Sequence, residues 1–177
     1  MPNLNGLASL AQNVLKALVA ELNVLERLQG CFSEHLAALK AQQPEQLSDT
    51  TDAVSEATRE LERSRQQRER QMRLLGRLLR LGDEVTLVQI ADGLQTMGLA
   101  NEAAALRQQR QAVRTAAQAT GRAAEKAEYA LQYAARLSRQ LVQAATSIGA
   151  PPQPAAYTAG GYLARPSTQR SMLDHVG

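Results

Sequence analysis

The sequence predicts an all-α protein: an elongated antiparallel helical bundle or coiled coil of three long helices plus a short bridging helix, with a flexible C-terminal tail. Of its 177 residues, 44% are hydrophobic and only 3% are aromatic, which is typical of long helices and not of a β-sandwich or an α/β enzyme. Apolar residues recur at spacings of three and four along three long stretches. We therefore expect one helical bundle domain over residues 1–148 and a Pro/Gly-containing tail over residues 149–177.

The first helix is predicted from Leu4 to Ala41, and Pro44 marks the break after it. Its apolar stripe keeps the spacing of an amphipathic helix. The stripe is formed by Ala11, Leu15, Leu18, Leu22, Leu25, Phe32, Leu36 and Leu39, widened by Leu7, Val14 and Leu28. Such a stripe predicts packing against the helix that follows.

The second helix is predicted from about Glu45, with Pro44 in its first turn, to a stop at Gly82. Its apolar positions include Leu47, Val54, Leu61, Met72, Leu75 and Leu79. Its middle is polar, since Thr51, Thr58, Arg65 and Arg68 fall at or beside the same row. The hairpin of these two helices is therefore expected to be held more firmly at its ends than at its centre.

A short bridging helix is predicted next, over Val85 to Leu94, with Asp83 or Glu84 at its start. The last long helix is predicted over Asn101 to Ile148. Seven-residue steps place Leu106, Val113, Thr120, Ala127, Ala134 and Leu141 on one row, with Ala117, Ala124, Leu131, Ser138 and Ala145 between them.

This last stripe consists mainly of alanine. Burial is worth about 25 cal/mol per Å² of apolar surface, so an alanine contributes far less than a leucine. Such a face can exchange one partner helix for another at modest cost. The pattern therefore indicates binding more than catalysis.

Positive charge is concentrated in the second helix, although the formal net charge is only +3. Eight arginines lie between Arg59 and Arg80, interleaved with Glu60, Glu62 and Glu69. We favour a solvated helix face, with an anionic partner surface as the second interpretation. Specific nucleic-acid binding ranks third, because no aromatic side chain lies nearby to stack on a base.

The candidates for chemistry are few. His35 lacks the second histidine of a helical zinc motif, His175 is near the end of the chain, and Cys31 has no evident base beside it. We therefore expect no enzyme activity, no cofactor, no metal and no small-molecule substrate. No stretch approaches the roughly 20 apolar residues of a membrane span. With no secretory signal at the N-terminus, the sequence predicts a cytoplasmic protein.

The order of the elements resembles a known family. The stretch EHLAALKAQQPEQL (residues 34–47), followed by a helix rich in Glu and Arg, resembles the first helical hairpin of the FlgN family, the flagellar export chaperones for hook–filament junction proteins. TLVQIADGL (residues 86–94) resembles that family's short middle helix, and residues 106–141 its last long helix. AAYTAGGYLA (residues 155–164) resembles its terminal tyrosine-glycine tail.

The resemblance implies a non-catalytic chaperone with two kinds of partner. It would bind the helical termini of hook-associated (hook–filament junction) proteins, prevent their premature association, and bring them to the flagellar export gate and its ATPase complex. The predicted client-binding residues are Val113, Ala117, Leu131, Leu137 and Leu141, with Tyr129 and Tyr133 flanking them. Tyr157 and Gly160 in the tail would dock on the export gate.

Two alternatives stay open at this point. The protein could be a self-associating structural coiled coil without a client, in which the alanine stripe packs against a second copy, for example in a homodimer. The tyrosine-containing tail could also be a chain end without a partner.

Overall fold

The structure, a computed structural model, describes residues 4–82 and 84–148. Over these residues the chain forms four α-helices: α1 Leu4–Ala41, α2 Pro44–Leu78, α3 Leu87–Thr96 and α4 Ala100–Ile148. The all-α class is confirmed, with three long helices and one short one in the predicted order.

The chain divides into two compact units. The first, Met1–Gln132, holds α1, α2, α3 and the first part of α4. The second, Tyr133–Gly177, holds the rest of α4 and residues 149–177, which lie outside the described residues. The predicted domain boundary after residue 148 therefore stays a prediction.

The core of the first unit is built mainly from leucines on the predicted stripes. Large side chains are buried on all four helices, and they form one cluster. Its members include Leu7, Val14, Leu18, Leu25 and Leu28 of α1, Leu61 and Leu75 of α2, Ile90 and Leu94 of α3, and Leu106 and Val113 of α4. In this cluster α1 and α2 pack with α3 and with the part of α4 that belongs to the first unit.

The stripe predicted for α4 is buried only over part of its length. Leu106, Val113, Thr120 and Ala127 are buried, whereas Leu141 on the same row is 60% exposed. Thr120 adds a polar link, because its Oγ1 lies 3.0 Å from the carbonyl oxygen of Leu25 on α1. The buried part of the alanine stripe is thus the part that belongs to the first unit.

α2 ends in a turn that places a residue other than glycine in the left-handed region. Arg80 has a φ of 59°. Its N–H donates to the carbonyl of Arg77 at 3.1 Å, and the N–H of Leu81 donates to the carbonyl of Gly76 at 2.9 Å. These two bonds form a Schellman motif, which satisfies carbonyls at the helix end.

The prediction that α2 runs to Gly82 is therefore wrong, because the chain turns at Arg80 and α2 ends at Leu78. Gly82, with a φ of +89°, lies in the connection to α3. α1 ends in the same kind of turn, with Gln42 at a φ of 54° and its N–H donating to the carbonyl of Leu39. In both turns a long polar side chain occupies a position that favours glycine.

α3 begins with a capping box. The backbone N–H of Gln89 donates to the Thr86 hydroxyl at 3.3 Å, and the Thr86 N–H donates to the Gln89 side chain at 2.8 Å. The prediction that Asp83 or Glu84 starts this helix, over Val85–Leu94, is therefore wrong. Thr86 is the N-cap because its hydroxyl pairs with an amide group three residues later.

Candidate functional site

Four large side chains follow one another along α4 at four-residue steps and are exposed. They are Tyr129, Tyr133, Leu137 and Leu141, with exposed fractions of 74%, 62%, 44% and 60%. Each four-residue step on an α-helix turns by about 40°, so neighbours in this series share one side of the helix. Tyr129 belongs to the first unit and the other three to the second. We call the three residues of the second unit, Tyr133, Leu137 and Leu141, the α4 stripe.

A second pair of exposed apolar residues occupies a different side of α4. Leu131 is 39% exposed and Val142 is 63% exposed. They are eleven residues apart, which brings them within about 20° of each other on a helix, while Val142 is about 180° from Tyr133. Leu131, predicted as a client-binding residue, therefore lies away from Tyr133. Val142 was missed, although its eleven-residue distance from Leu131 is a signal in the sequence.

The remaining predicted client-binding residues on α4 lie against the core of the first unit. Val113 is buried and belongs to the core cluster, and Ala117 is half-buried and packs against that cluster. Both also line a cavity of about 540 Å³ among α1, α2, α3 and α4. The structure thus separates the predicted set into exposed residues of α4, with Leu131 on a different side from Tyr133, and two residues of this cavity.

The lining of the cavity is partly apolar and partly charged. Its apolar lining comes from Leu18, Met72, Leu87, Val113 and Ala117. Its charged lining comes from Glu21, Arg65, Arg68, Glu69, Arg110 and Arg114. Arginines outnumber carboxylates in this lining, so the cavity favours anionic groups over cationic ones.

One carboxylate of this cavity is buried and was not predicted. The Glu21 side chain is 3% exposed and lies 2.6 Å from Nη1 of Arg68 and 3.5 Å from Nε of Arg65. A signal for it exists, because seven-residue steps along α1 give Leu7, Val14, Glu21, Leu28 and His35. Glu21 therefore occupies a core position that the surrounding row fills with apolar residues.

His35 also lies on this row and is buried. Its Nδ1 lies 3.0 Å from Thr50 Oγ1 on α2. Thr50 Oγ1 also lies 2.8 Å from the carbonyl oxygen of Gln46 on its own helix. The contact between His35 and Thr50 links α1 to α2 and gives His35 a structural role. Over residues 4–82 and 84–148, no three His, Cys, Asp or Glu side chains gather as a metal site requires.

Other charged contacts of the first unit lie at the surface. Arg27 of α1 pairs with Glu60 of α2, and the hydrogen bond that Arg27 donates to the Glu60 carboxylate raises the pKa of the Arg27 guanidinium. Arg107 of α4 lies 2.7 Å from Asp92 of α3. Exposed pairs of this kind contribute little to stability. They link neighbouring helices without forming a reactive centre.

Two predicted residues and one candidate lie outside the described residues. They are Tyr157 and Gly160, predicted to dock on the export gate, and His175. Among the helices that the structure describes, none has the length and apolar character to cross a membrane.

A family model described as FlgN protein matches residues 1–165 of the chain. No curated protein and no solved structure matches it.

Proposed function

The chain belongs to the FlgN protein family, and on that premise we propose that it binds the helical termini of hook–filament junction proteins, prevents their early association and delivers them to the flagellar export gate. Membership places the chain among flagellar export chaperones in general. The choice of client, the delivery step and a cytoplasmic location belong to the proposal.

The α4 stripe is the observation that carries this proposal. Large apolar side chains at four-residue steps form a ridge of the kind that packs into the grooves of a second helix. Tyr133, Leu137 and Leu141 are all exposed, and a contiguous exposed apolar patch often marks an interaction site. An amphipathic client helix would cover Tyr133, Leu137 and Leu141.

The two tyrosines suit the edge of such a contact. Tyr129 and Tyr133 are the most exposed of the four large side chains at these steps. A tyrosine offers a large apolar ring together with a hydroxyl that prefers water, which favours positions at the rim of an interface. The client helix would thus be seated on Leu137 and Leu141 and bounded by tyrosine rings.

The tail supports the delivery step only through family membership. Tyr157 and Gly160 belong to the segment that resembles the family's terminal tail, and the family match extends to residue 165. We propose that this segment contacts the export gate and its ATPase complex.

The client step is tested with a double variant of the stripe and a matched control. Tyr133→Gln/Leu137→Gln removes two apolar side chains from the stripe, whereas Val142→Gln removes one of equal exposure from the other side of α4. Each full-length protein is co-expressed with a hook–filament junction protein of the same organism, and the complex is purified on a tag carried by that client. The double variant is expected to lose the client and the control to keep it.

Equal recovery of client by the double variant and the wild type would remove the α4 stripe from the binding surface. Loss of client by Val142→Gln as well would place the contact on both sides of the helix. Circular dichroism shows whether each variant retains its helical content.

Self-association is the alternative, because a second copy of the chain could also cover the α4 stripe. Light scattering separates the two. A monomer or weak dimer that forms a one-to-one complex with the client supports the chaperone. A stable oligomer that added client leaves unchanged supports a scaffold.

A further inference from the structure

Four leucines at the end of α2 and just after it differ in burial. Two leucine pairs occur in this segment, Leu74-Leu75 and Leu78-Leu79. Leu75 is fully buried and Leu79 packs against the core cluster. Their neighbours Leu74 and Leu78 are 48% and 51% exposed. One leucine of each pair thus contributes to the core, and the other faces water.

Leu74 and Leu78 are one turn apart on the same side of α2. Leu81, after the end of α2, is 39% exposed, but its Cδ1 lies 3.4 Å from the position of a Cβ on Gly93 of α3. We therefore call Leu74, Leu78 and the exposed arginines beside them the α2 end surface.

The charge of this surface has one sign. Residues 70–81 contain four arginines and no aspartate or glutamate. The arginines are Arg70, Arg73, Arg77 and Arg80, and all four are exposed. Glu69 lies 3.4 Å from Arg73, but both side chains are more than half exposed, so the pair neutralises little of the field. On α2, Arg70 lies about 40° from Leu74 around the helix axis.

We propose that the α2 end surface binds an anionic lipid membrane peripherally, with Leu74 and Leu78 inserted among the lipid headgroups and the arginines on lipid phosphates. Exposed leucines bordered by arginines are the composition of a surface that lies in a membrane interface. Long arginine side chains also let the apolar residues enter while the charge stays at headgroup depth.

The composition of this surface favours a membrane over an acidic protein helix. Exposed apolar and basic side chains next to each other on one helix are typical of a helix that lies in a membrane interface. Leu74 and Leu78 do not line the cavity that holds Glu21. They project from the outer side of α2, where a deformable lipid layer can receive them. This inference does not depend on the α4 stripe or on a client.

The first test is sedimentation of the full-length protein with vesicles. Vesicles of equal parts phosphatidylglycerol and phosphatidylcholine are expected to carry the protein into the pellet, and vesicles of phosphatidylcholine alone are not. Binding should weaken as salt is raised, because exposed charges are screened. Equal sedimentation with both kinds of vesicle, or none with either, overturns the proposal.

Paired variants separate insertion from simple charge attraction. Arg70→Gln/Arg73→Gln is expected to weaken binding by about fivefold per arginine, and Leu74→Gln/Leu78→Gln by at least about tenfold in total. The controls are Arg59→Gln/Arg63→Gln, exposed on the same helix, and Val19→Gln, 45% exposed on α1. If the leucine variant binds as the wild type does, or if the controls lose binding equally, the surface is not inserted as proposed.

A fluorescence measurement covers the case in which a leucine variant fails to fold. The chain contains no tryptophan, so Leu78→Trp introduces a single reporter. Its emission is expected to shift to shorter wavelength when phosphatidylglycerol vesicles are added, while that of Val19→Trp stays unchanged. An unshifted Leu78→Trp spectrum with protein bound to the vesicles contradicts leucine insertion.

Discussion

Glu21 and Arg68 meet inside the α1–α2 hairpin, with Oε2 of the carboxylate 2.6 Å from Nη1 of the guanidinium. Each interrupts a row of otherwise mainly apolar residues on its own helix. On α2 that row is Leu47, Val54, Leu61, Arg68 and Leu75. The two interruptions lie opposite each other, so the hairpin register that buries the leucines also pairs the charges.

Removing one member of this pair should cost more than removing both. Glu21→Leu leaves Arg68 near the core without its carboxylate, and we expect the free energy of unfolding to fall by about 2 kcal/mol. This loss is smaller than for a fully buried pair, because the Arg68 side chain is 21% exposed. Glu21→Leu/Arg68→Leu should recover most of that loss. Urea unfolding followed by circular dichroism measures both. A double variant no more stable than Glu21→Leu would contradict this account.

The left-handed turn at the end of α1 should tolerate glycine better than glutamine. Gln42→Gly removes the steric cost of a φ of 54°, and after the added freedom of the unfolded chain we expect a gain of about 0.5 kcal/mol. Gly98→Ala is the reciprocal test, since Gly98 has a φ of +83° and an added Cβ meets no atom within 4 Å. It should cost about 1 kcal/mol by strain alone. Thermal unfolding of both variants decides the point, and stabilisation by Gly98→Ala would refute it.

The same change, glycine to alanine, should have opposite effects at two positions within helices. A Cβ at Gly76 would lie 2.6 Å from Val85 Cγ1, so Gly76→Ala should destabilise the protein by about 1–3 kcal/mol. Gly121 in α4 has open space around its Cβ position, and Gly121→Ala should stabilise it by up to about 1 kcal/mol. Val85→Ala should partly rescue Gly76→Ala. Chemical denaturation of the three variants tests the pairing, and a stable Gly76→Ala would show that Val85 moves aside easily.

Shortening the chain should separate the two proposed binding steps. A variant that ends at Gly149 keeps the whole of α4 and is expected to retain the client while losing capture of the export-gate component. Pull-downs with each partner measure the two steps separately. Loss of the client with retention of the gate component would reverse the assignment of helix and tail.

Periodicity was sufficient to predict the helices, because burial of one face repeats the 3.6-residue period over tens of residues. It predicted α1 with its observed ends. The end of α2 could not be predicted from glycine, since Arg80 adopts the left-handed conformation two residues before Gly82. The start of α3 was accessible from the spacing of Thr86 and Gln89, which forms a capping box.

The candidate site was predicted less completely than the fold. Alanine is small enough to be buried or exposed at little cost, so the composition of α4 does not show which side faces the core. Only the structure shows that Val113 is buried, whereas Leu137 and Leu141 are exposed. Glu21 escaped prediction because a single glutamate on a helix is usually solvated, and only its position on the row of Val14 and Leu28 indicates otherwise.

Tyr133 and Val142 lie on opposite sides of α4, and this affects which partners can be bound at the same time. A helix seated on the α4 stripe leaves the side that carries Val142 uncovered, so occupancy of one side does not sterically exclude occupancy of the other. A receiving protein that contacts the tail, as proposed, would then not need the client to leave α4 first. Transfer would then pass through a complex of chaperone, client and receiving protein. The apolar surface of the client would not be exposed to water during the transfer.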